Sequence, residues 1–323
     1  MIVLLTGHRK SGTTLLHRFF DNTKGFNVYP NDFCYFYMFF PGYAEKYKKN
    51  KSAAIKRLIN INKIKLKDFC KQYNYPLLDL KKNDLILKNH LRKKNIFDKK
   101  ILFEIIREYW TNISKSNSKN HFLFKETSQA MYFEEYNKIF KNFKMINVIR
   151  DPRDNLASIL DGYDKYYKIK ENNKNNIVFN FIFKALNDFK FAKINEKYEN
   201  FLNIKYEDII FYPKKSLNKI CNFLSIDIVN LSKPTIFGKP FYGNNFNKKI
   251  VGLSKNNIAN WKNRLNKNEQ NIINYYFNDF LTVFGYEKIK TKKDSLKYVT
   301  KFSDDINFRF FFKDYLKIKK QRY

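Results

Sequence analysis

The stretch from Ile2 to Phe20 constrains the fold more than any other part of the chain. Ile2-Val3-Leu4-Leu5 is a short apolar run of the kind that forms a buried strand. Gly7-His8-Arg9-Lys10-Ser11-Gly12-Thr13-Thr14 follows, with two glycines bracketing cations and a hydroxyl. Leu15, Leu16, Phe19 and Phe20 then recur at helical spacing. Strand, glycine-bounded loop and helix together make a phosphate cradle. The loop amides and the positive end of the helix both face the anion.

The two glycines are spaced Gly-x-x-x-x-Gly, as in the loop of nucleoside triphosphatases. The next residue departs from that pattern. A triphosphatase places Lys after the second Gly, whereas this chain has Thr13, and its loop cation is Lys10. Such a loop can hold one phosphate with backbone, hydroxyls and a cation. It has no arm for a triphosphate tail. A tight turn or a lysine-less triphosphatase loop stays open from this stretch alone.

A second anion grip lies further on. Phe143 to Ile149 reads as a strand and is followed by Arg150-Asp151-Pro152-Arg153-Asp154-Asn155-Leu156-Ala157-Ser158. Pro152 suits the first turn of a helix. Ser158 falls eight residues after Arg150, about two turns into that helix. A strand-end Arg and a helix Ser can grip one phosphate together, the Arg through its planar fork.

Arg9-Lys10-Ser11-Gly12-Thr13-Thr14-Leu15 resembles the 5′-phosphosulfate loop of sulfotransferases that use 3′-phosphoadenosine 5′-phosphosulfate (PAPS). The variant is closer to the bacterial branch and to the tyrosylprotein and carbohydrate branches, the last two often having Pro-Arg where this chain has Arg9-Lys10. Arg150 and Ser158 resemble the pair with which those enzymes hold the donor's 3′-phosphate. The resemblance covers roughly residues 1–30 and 120–286, with separate pieces in family order. It implies an α/β fold: a P-loop-type parallel sheet flanked by helices, here with a helical insertion and a C-terminal tail. It implies sulfuryl transfer from PAPS to an acceptor hydroxyl or amine.

Further roles follow from the same resemblance. His121 to Lys125 reads as a strand with a cation at its end, and Lys125 lies 25 residues before Arg150, close to the family spacing. Lys125 is therefore expected at the transferring sulfonate, although the family's proline is replaced by the text Glu126-Thr127-Ser128. A helix is expected from there to about Phe143. Phe26 to Pro30 reads as the second strand, and Asp32 just beyond it is the expected catalytic base. Asn31 could hold that register, and Asp32 as a plain helix or turn cap is the competing reading. Lys10 joins Asp32 and Lys125 as the catalytic set. Arg9, Lys10, Ser11, Gly12, Thr13, Thr14, Arg150, Ser158, Tyr206 and Lys255 are the expected donor-binding residues. Tyr206 ends a strand and is read at the adenine side or as a core tyrosine. Lys255 precedes Trp261-Lys262 in a Gly- and Asn-rich segment and is read as a 3′-phosphate contact or a solvated loop lysine.

Domain organisation follows from pattern. Residues 1–290 form one sulfotransferase-like domain, with 45–117 a lysine-rich helical insertion or lid. Residues 291–323 form a basic aromatic tail. Phe33 to Tyr43 is densely aromatic and reads as core or as the wall of an acceptor pocket. Asn175 to Glu199 and Asn268 to Phe284 read as amphipathic helices.

The formal net charge is +33, from 63 Lys and Arg against 30 Asp and Glu. That charge suits an anionic partner: a glycan, an acidic membrane surface or nucleic acid. Abundant Lys, Asn, Ile, Phe and Tyr also fit an AT-rich coding bias, which makes surface lysine drift the competing explanation. A glycan is the favoured acceptor, peripheral membrane contact is open, and nucleic acid does not account for the two anion grips. A P-loop nucleotide or small-molecule kinase would need a Mg²⁺ site and a cation for a γ-phosphate, and neither is evident. No metal is expected. Cys34, Cys70 and Cys221 are far apart and form no metal or disulfide pattern. With the first strand starting at Ile2 and no apolar run long enough to span a bilayer, a cytoplasmic location is expected.

Overall fold

The computed structural model describes residues 1–21, 23–34, 50–60, 80–114, 121–162, 174–227, 233–236, 238–241 and 252–289. The expected tail at 291–323, Cys70 and the aromatic residues at 35–43 lie outside the described residues.

Strand β1 (Ile2–Gly7) enters the glycine loop, and helix α1 (Thr13–Phe19) leaves it. Strand β2 (Phe26–Asp32) follows. Residues 51–60 are helical, and α2 (Leu80–Lys93) and α3 (Lys99–Ser114) complete the described part of the insertion. Then come β3 (His121–Lys125), α4 (Phe133–Ile139), β4 (Phe143–Ile149), α5 (Pro152–Gly162) and the long α6 (Lys174–Asn195). Strand β5 (Phe201–Lys205) leads directly into α7 (Tyr206–Phe211) and α8 (Pro213–Leu224). A two-residue hairpin, β6 (Thr235–Ile236) with β7 (Lys239–Pro240), precedes α9 (Trp261–Arg264) and α10 (Lys267–Val283). Asn266 and Glu269 cap α10 reciprocally, each accepting the other's backbone N–H.

The main sheet runs β2-β3-β1-β4-β5, and every pairing in it is parallel. Parallel strands covered on both faces must be apolar throughout, which is why β1 reads as a continuous apolar run. Val3, Leu5, Leu123, Ile146 and Val148 pack on α1 and α8. Leu4, Phe122, Phe124 and Met145 face the other way, onto Phe103 and Trp110 of α3 and Phe133 of α4. Helices α5, α6 and α10 share a third core around Leu160, Phe189 and Phe277.

The strand order positions the site. Strand β1 has β3 on one side and β4 on the other, so the chain reverses direction of travel across the sheet at β1. Ligands of open α/β sheets bind at that switch, outside the carboxyl ends of the strands. The tips of β3, β1 and β4 carry Lys125, the glycine loop and Arg150.

One local feature differs from the sequence expectation. The helix expected from Glu126 does not form at its start. Ser128 is left-handed at φ 56, a 3-10 turn spans Ala130–Tyr132, and α4 begins at Phe133. The cause is tertiary: Ser128 N–H donates to Gly7 O (3.0 Å) and Gln129 N–H to Thr6 Oγ1 (2.9 Å). Those amides are tied to β1 instead of opening a helix. The last helix of the described part of the insertion packs on the sheet. Helix α3 buries seven residues, and Trp110 Nε1 donates to Val28 O of the edge strand at 3.0 Å.

Candidate active site

A groove of about 310 Å³ opens at the tips of β1, β3 and β4. Lys10, Thr13 and Thr14 line it from the loop, Lys125 from β3, and Arg150 and Ser158 from β4 and α5. Eight of the ten expected donor residues therefore line one groove, from segments up to 197 positions apart (Arg9 to Tyr206); Ser11 and Lys255 are not among its lining.

The loop is shaped by backbone that other residues would not tolerate. Gly12 sits at φ 98, and a Cβ there would stand 2.2 Å from the Tyr206 ring. Gly7 is pressed on Val148 O, which a Cβ would approach to 2.4 Å. Lys10 is itself left-handed at φ 66, an arrangement that turns successive amides inward. Ser11 is buried and its amide donates to His8 O at 3.0 Å.

Arg150 is the hub. Its Nη1 donates to Lys10 O (2.8 Å), its Nη2 to Asn257 O (2.7 Å), and its guanidinium lies 4.6 Å over the Tyr206 ring. Tyr206 thus underlies both the glycine loop and the arginine. Burial pushes its phenol pKa up, so it stays neutral. Asp154 ties α5 to the segment that follows the groove-lining Asn257, accepting from Ala259 N (2.7 Å) and Trp261 N (2.9 Å). Arg153 does not face the groove. It pairs with Asp151 at 2.6 Å and lies 4.3 Å over Trp261. Lys255 stands exposed on the 3-10 turn, its Nζ 5.5 Å from the centre of the Phe211 ring, and its neighbours Ser254 and Asn257 line the groove instead. Arg9 is exposed at the rim.

Lys125 and Asp32 form an ion pair across neighbouring strands, with Lys125 5% exposed and Asp32 30%. An irregularity of register between Val28 and Asp32, where Pro30 lacks an amide donor, brings the two level. Glu126 lies behind them, fully buried, and accepts the Cys34 amide. Burial, then the Asp32 charge, pushes the Glu126 carboxyl up to about 7. Burial, then the cations Arg9 and Arg150, pushes Lys10 down to about 8.

These residues suit an anionic ligand. Ser11 Oγ and Arg150 Nε are buried and make no hydrogen bond among the described residues. Lys10 is held below its ordinary range by burial and then by the like charges of Arg9 and Arg150, which an anion would offset. Among the described residues no cluster of His, Cys, Asp and Glu could hold a metal ion, and no helix is long and apolar enough to cross a membrane.

A second cavity, about 400 Å³, adjoins the groove and shares Arg9 and Thr127 with it. His8 lines it, with Nδ1 2.6 Å from Asp188 Oδ2 of α6. Ser128 Oγ donates to the same carboxylate oxygen at 2.7 Å. Sequence reasoning passed over this cluster. The available signal was Asp188 itself, a carboxylate two turns after Phe181 on the same side of a largely apolar helix.

Fold and groove define an α/β protein of the P-loop type, with its cations gathered at the switch point of a parallel sheet. Residues 2–292 match the family model described as the sulfotransferase domain, and the chain belongs to the sulfotransferase family. Its fold is similar to the sulfotransferase domain from the curacin biosynthetic pathway (17% identity, TM-score 0.55, covering 89% of this chain and 98% of that one). It is similar also to the sulfotransferase domain of the Synechococcus PCC 7002 olefin synthase (13% identity, TM-score 0.53, covering 94% and 95%). A mouse sulfotransferase complexed with PAP aligns at TM-score 0.48 and 14% identity, covering 87% of this chain and 84% of that one. No curated protein matches the chain in sequence.

Proposed function

We propose that the protein transfers the sulfuryl group of PAPS to a hydroxyl or amine of an acceptor, with a glycan as the favoured acceptor on the strength of the basic charge. One observation carries the reading. Lys10 and Arg150, two anion grips far apart in sequence, are joined by a 2.8 Å hydrogen bond within one groove.

PAPS supplies the sulfuryl group and a bisphosphate leaving group. Sulfuryl transfer resembles phosphoryl transfer: an in-line displacement in which positioning and electrostatics do most of the work. The loop amides, Lys10, Ser11, Thr13 and Thr14 hold the 5′-phosphate and stabilise the leaving oxygen. Arg150 and Ser158 hold the 3′-phosphate, and Tyr206 supports the adenine side. Lys255 adds positive charge at the rim of the same wall. Lys125 neutralises the sulfonate oxygens, and Asp32 fixes the Lys125 ammonium by direct ion pairing. Asp32 is also the expected base from the sequence.

Calorimetry with 3′,5′-adenosine bisphosphate tests the reading against its rivals. Tight binding that needs no Mg²⁺ is expected, with ATP and short DNA binding more weakly. Tighter binding of Mg²⁺-ATP would turn the assignment to a kinase, and preference for DNA would turn it to nucleic-acid binding.

A further inference from the structure

We propose that His8 is the general base that takes the acceptor's proton, that Asp188 and Ser128 position it, and that the cavity it lines receives an acceptor with an apolar or aromatic body. The inference rests on the sulfuryl-transfer reading above and names the base and acceptor chamber of that same site, with His8 in place of Asp32 as base and an apolar or aromatic acceptor in place of a glycan.

The argument begins with Asp32. Its carboxylate is committed to the Lys125 ammonium and lies against the buried Glu126. Accepting a proton would break that ion pair and leave Lys125, 5% exposed, beside a neutral acid. His8 has the opposite arrangement. It follows β1 directly, next to the loop that would hold the phosphosulfate. Asp188 accepts from Nδ1–H at 2.6 Å, so the neutral ring carries its lone pair on Nε2. The edge-to-face contact with Phe181, 5.1 Å between centroids, fixes the ring plane. Ser128 completes the support. Its left-handed backbone is held by the Gly7 carbonyl, and its hydroxyl donates to Asp188 Oδ2. A non-glycine residue in that conformation persists where surrounding bonds over-determine it.

The cavity has the character of an acceptor chamber. Met131, Tyr132, Ile177 and Phe183 supply much of its wall, and Arg9 and Thr127 join it to the donor groove. Its other titratable side chains are unsuited to taking a proton. Arg9 and Lys184 are cations, and burial pushes the Tyr132 phenol up.

The step balances. The acceptor O–H proton passes to His8 Nε2 as the acceptor oxygen bonds to sulfur. The bond from sulfur to the bridging phosphate oxygen breaks, and its electron pair leaves with 3′,5′-adenosine bisphosphate. Asp188 stabilises the imidazolium so formed.

The test follows bisphosphate release from PAPS with water, 2-naphthol or 4-nitrophenol as acceptor, at mildly alkaline pH. His8→Gln is expected to slow the naphthol and water reactions about 100-fold or more, with bisphosphate affinity within about twofold of wild type. The deficit should shrink to less than about tenfold with 4-nitrophenol, which arrives largely ionised and needs no base. Asp188→Asn should behave likewise, because an amide that donates to Nδ1 moves the ring proton to Nε2. Asp188→Glu should recover part of the rate. Ser128→Ala, a milder change, should show a smaller version of the same acceptor dependence. Equal loss with all three acceptors, or no loss, overturns the base assignment. Wild-type turnover with water but with neither phenol overturns the chamber. If wild type binds no bisphosphate, or binds it without releasing it from PAPS, the sulfuryl-transfer reading fails first, on a separate measurement.

Discussion

The guanidinium of Arg150 donates to the backbone carbonyl of Lys10 across 140 residues of sequence, at 2.8 Å. A backbone acceptor, unlike a carboxylate, leaves the arginine's full positive charge in place. The same group is fixed by Asn257 O and by the Tyr206 ring. It is therefore preorganised by uncharged groups, with Asp154 and Glu207 close enough to feel its charge but not hydrogen-bonded to it.

Arg150→Ala should weaken 3′,5′-adenosine bisphosphate binding by about 2–3 kcal/mol, the scale of a hydrogen bond to a charged group. Arg150→Lys should recover only part of that loss. A lysine keeps the charge but cannot reach Lys10 O and Asn257 O at once in one plane. Titration calorimetry reads both. Full recovery by lysine would mean that charge alone matters and that the fork geometry does not.

Gly12→Ala should destabilise the fold by about 1–3 kcal/mol through overpacking, and should abolish most bisphosphate affinity. Its Cβ would collide with the Tyr206 ring at 2.2 Å, and its φ of 98 is poorly open to alanine. Adding Tyr206→Ala should relieve the collision but not the backbone strain. Thermal melts of the two variants should therefore show partial recovery. A Gly12→Ala protein that melts and binds like wild type would refute the loop geometry.

Much of the fold was legible because its signals are local. The apolar runs of β1, β3 and β4, each ending in a glycine or a cation, marked their own strand tips. Pro152 marked the start of α5. What escaped was non-local. Nothing near Ser128 announces that its amide is claimed by Gly7, so a helix was expected where a left-handed turn stands. The Asp32–Lys125 pair depends on a register shift at Pro30 between two strands separated by the whole insertion. The His8–Asp188 contact spans 180 positions, and a lone acid in a largely apolar helix does not name its partner.

Lys125→Met should separate chemistry from nucleotide binding. Lys125 is assigned to the sulfonate, which the bisphosphate product lacks. Transfer from PAPS should fall about 100- to 1000-fold, as for loss of one preorganised donor to developing charge, while bisphosphate affinity stays within about threefold. Asp32→Asn should lower transfer in the same direction with every acceptor tested, because it loosens Lys125. Rate assays beside calorimetry give the split. A parallel loss of bisphosphate affinity in Lys125→Met would move the lysine to the phosphate end of the groove.

Bisphosphate affinity should fall as pH rises past about 8, because of Lys10. Burial, Arg9 and Arg150 lower its folded-state pKa from 10.5 to about 8. Between those values the unfolded chain keeps a proton that the folded chain has released. Stability from this group therefore rises with pH across the window, in the unliganded protein. A bound anion reverses the balance by favouring the charged ammonium, so binding near pH 8 takes up roughly half a proton. Calorimetry in two buffers of different ionisation enthalpy measures that uptake directly. Lys10→Arg, charged at every accessible pH, should bind without uptake and with an affinity flat through the window. Uptake that survives in Lys10→Arg would assign the titration to another group and remove Lys10 from the anion grip.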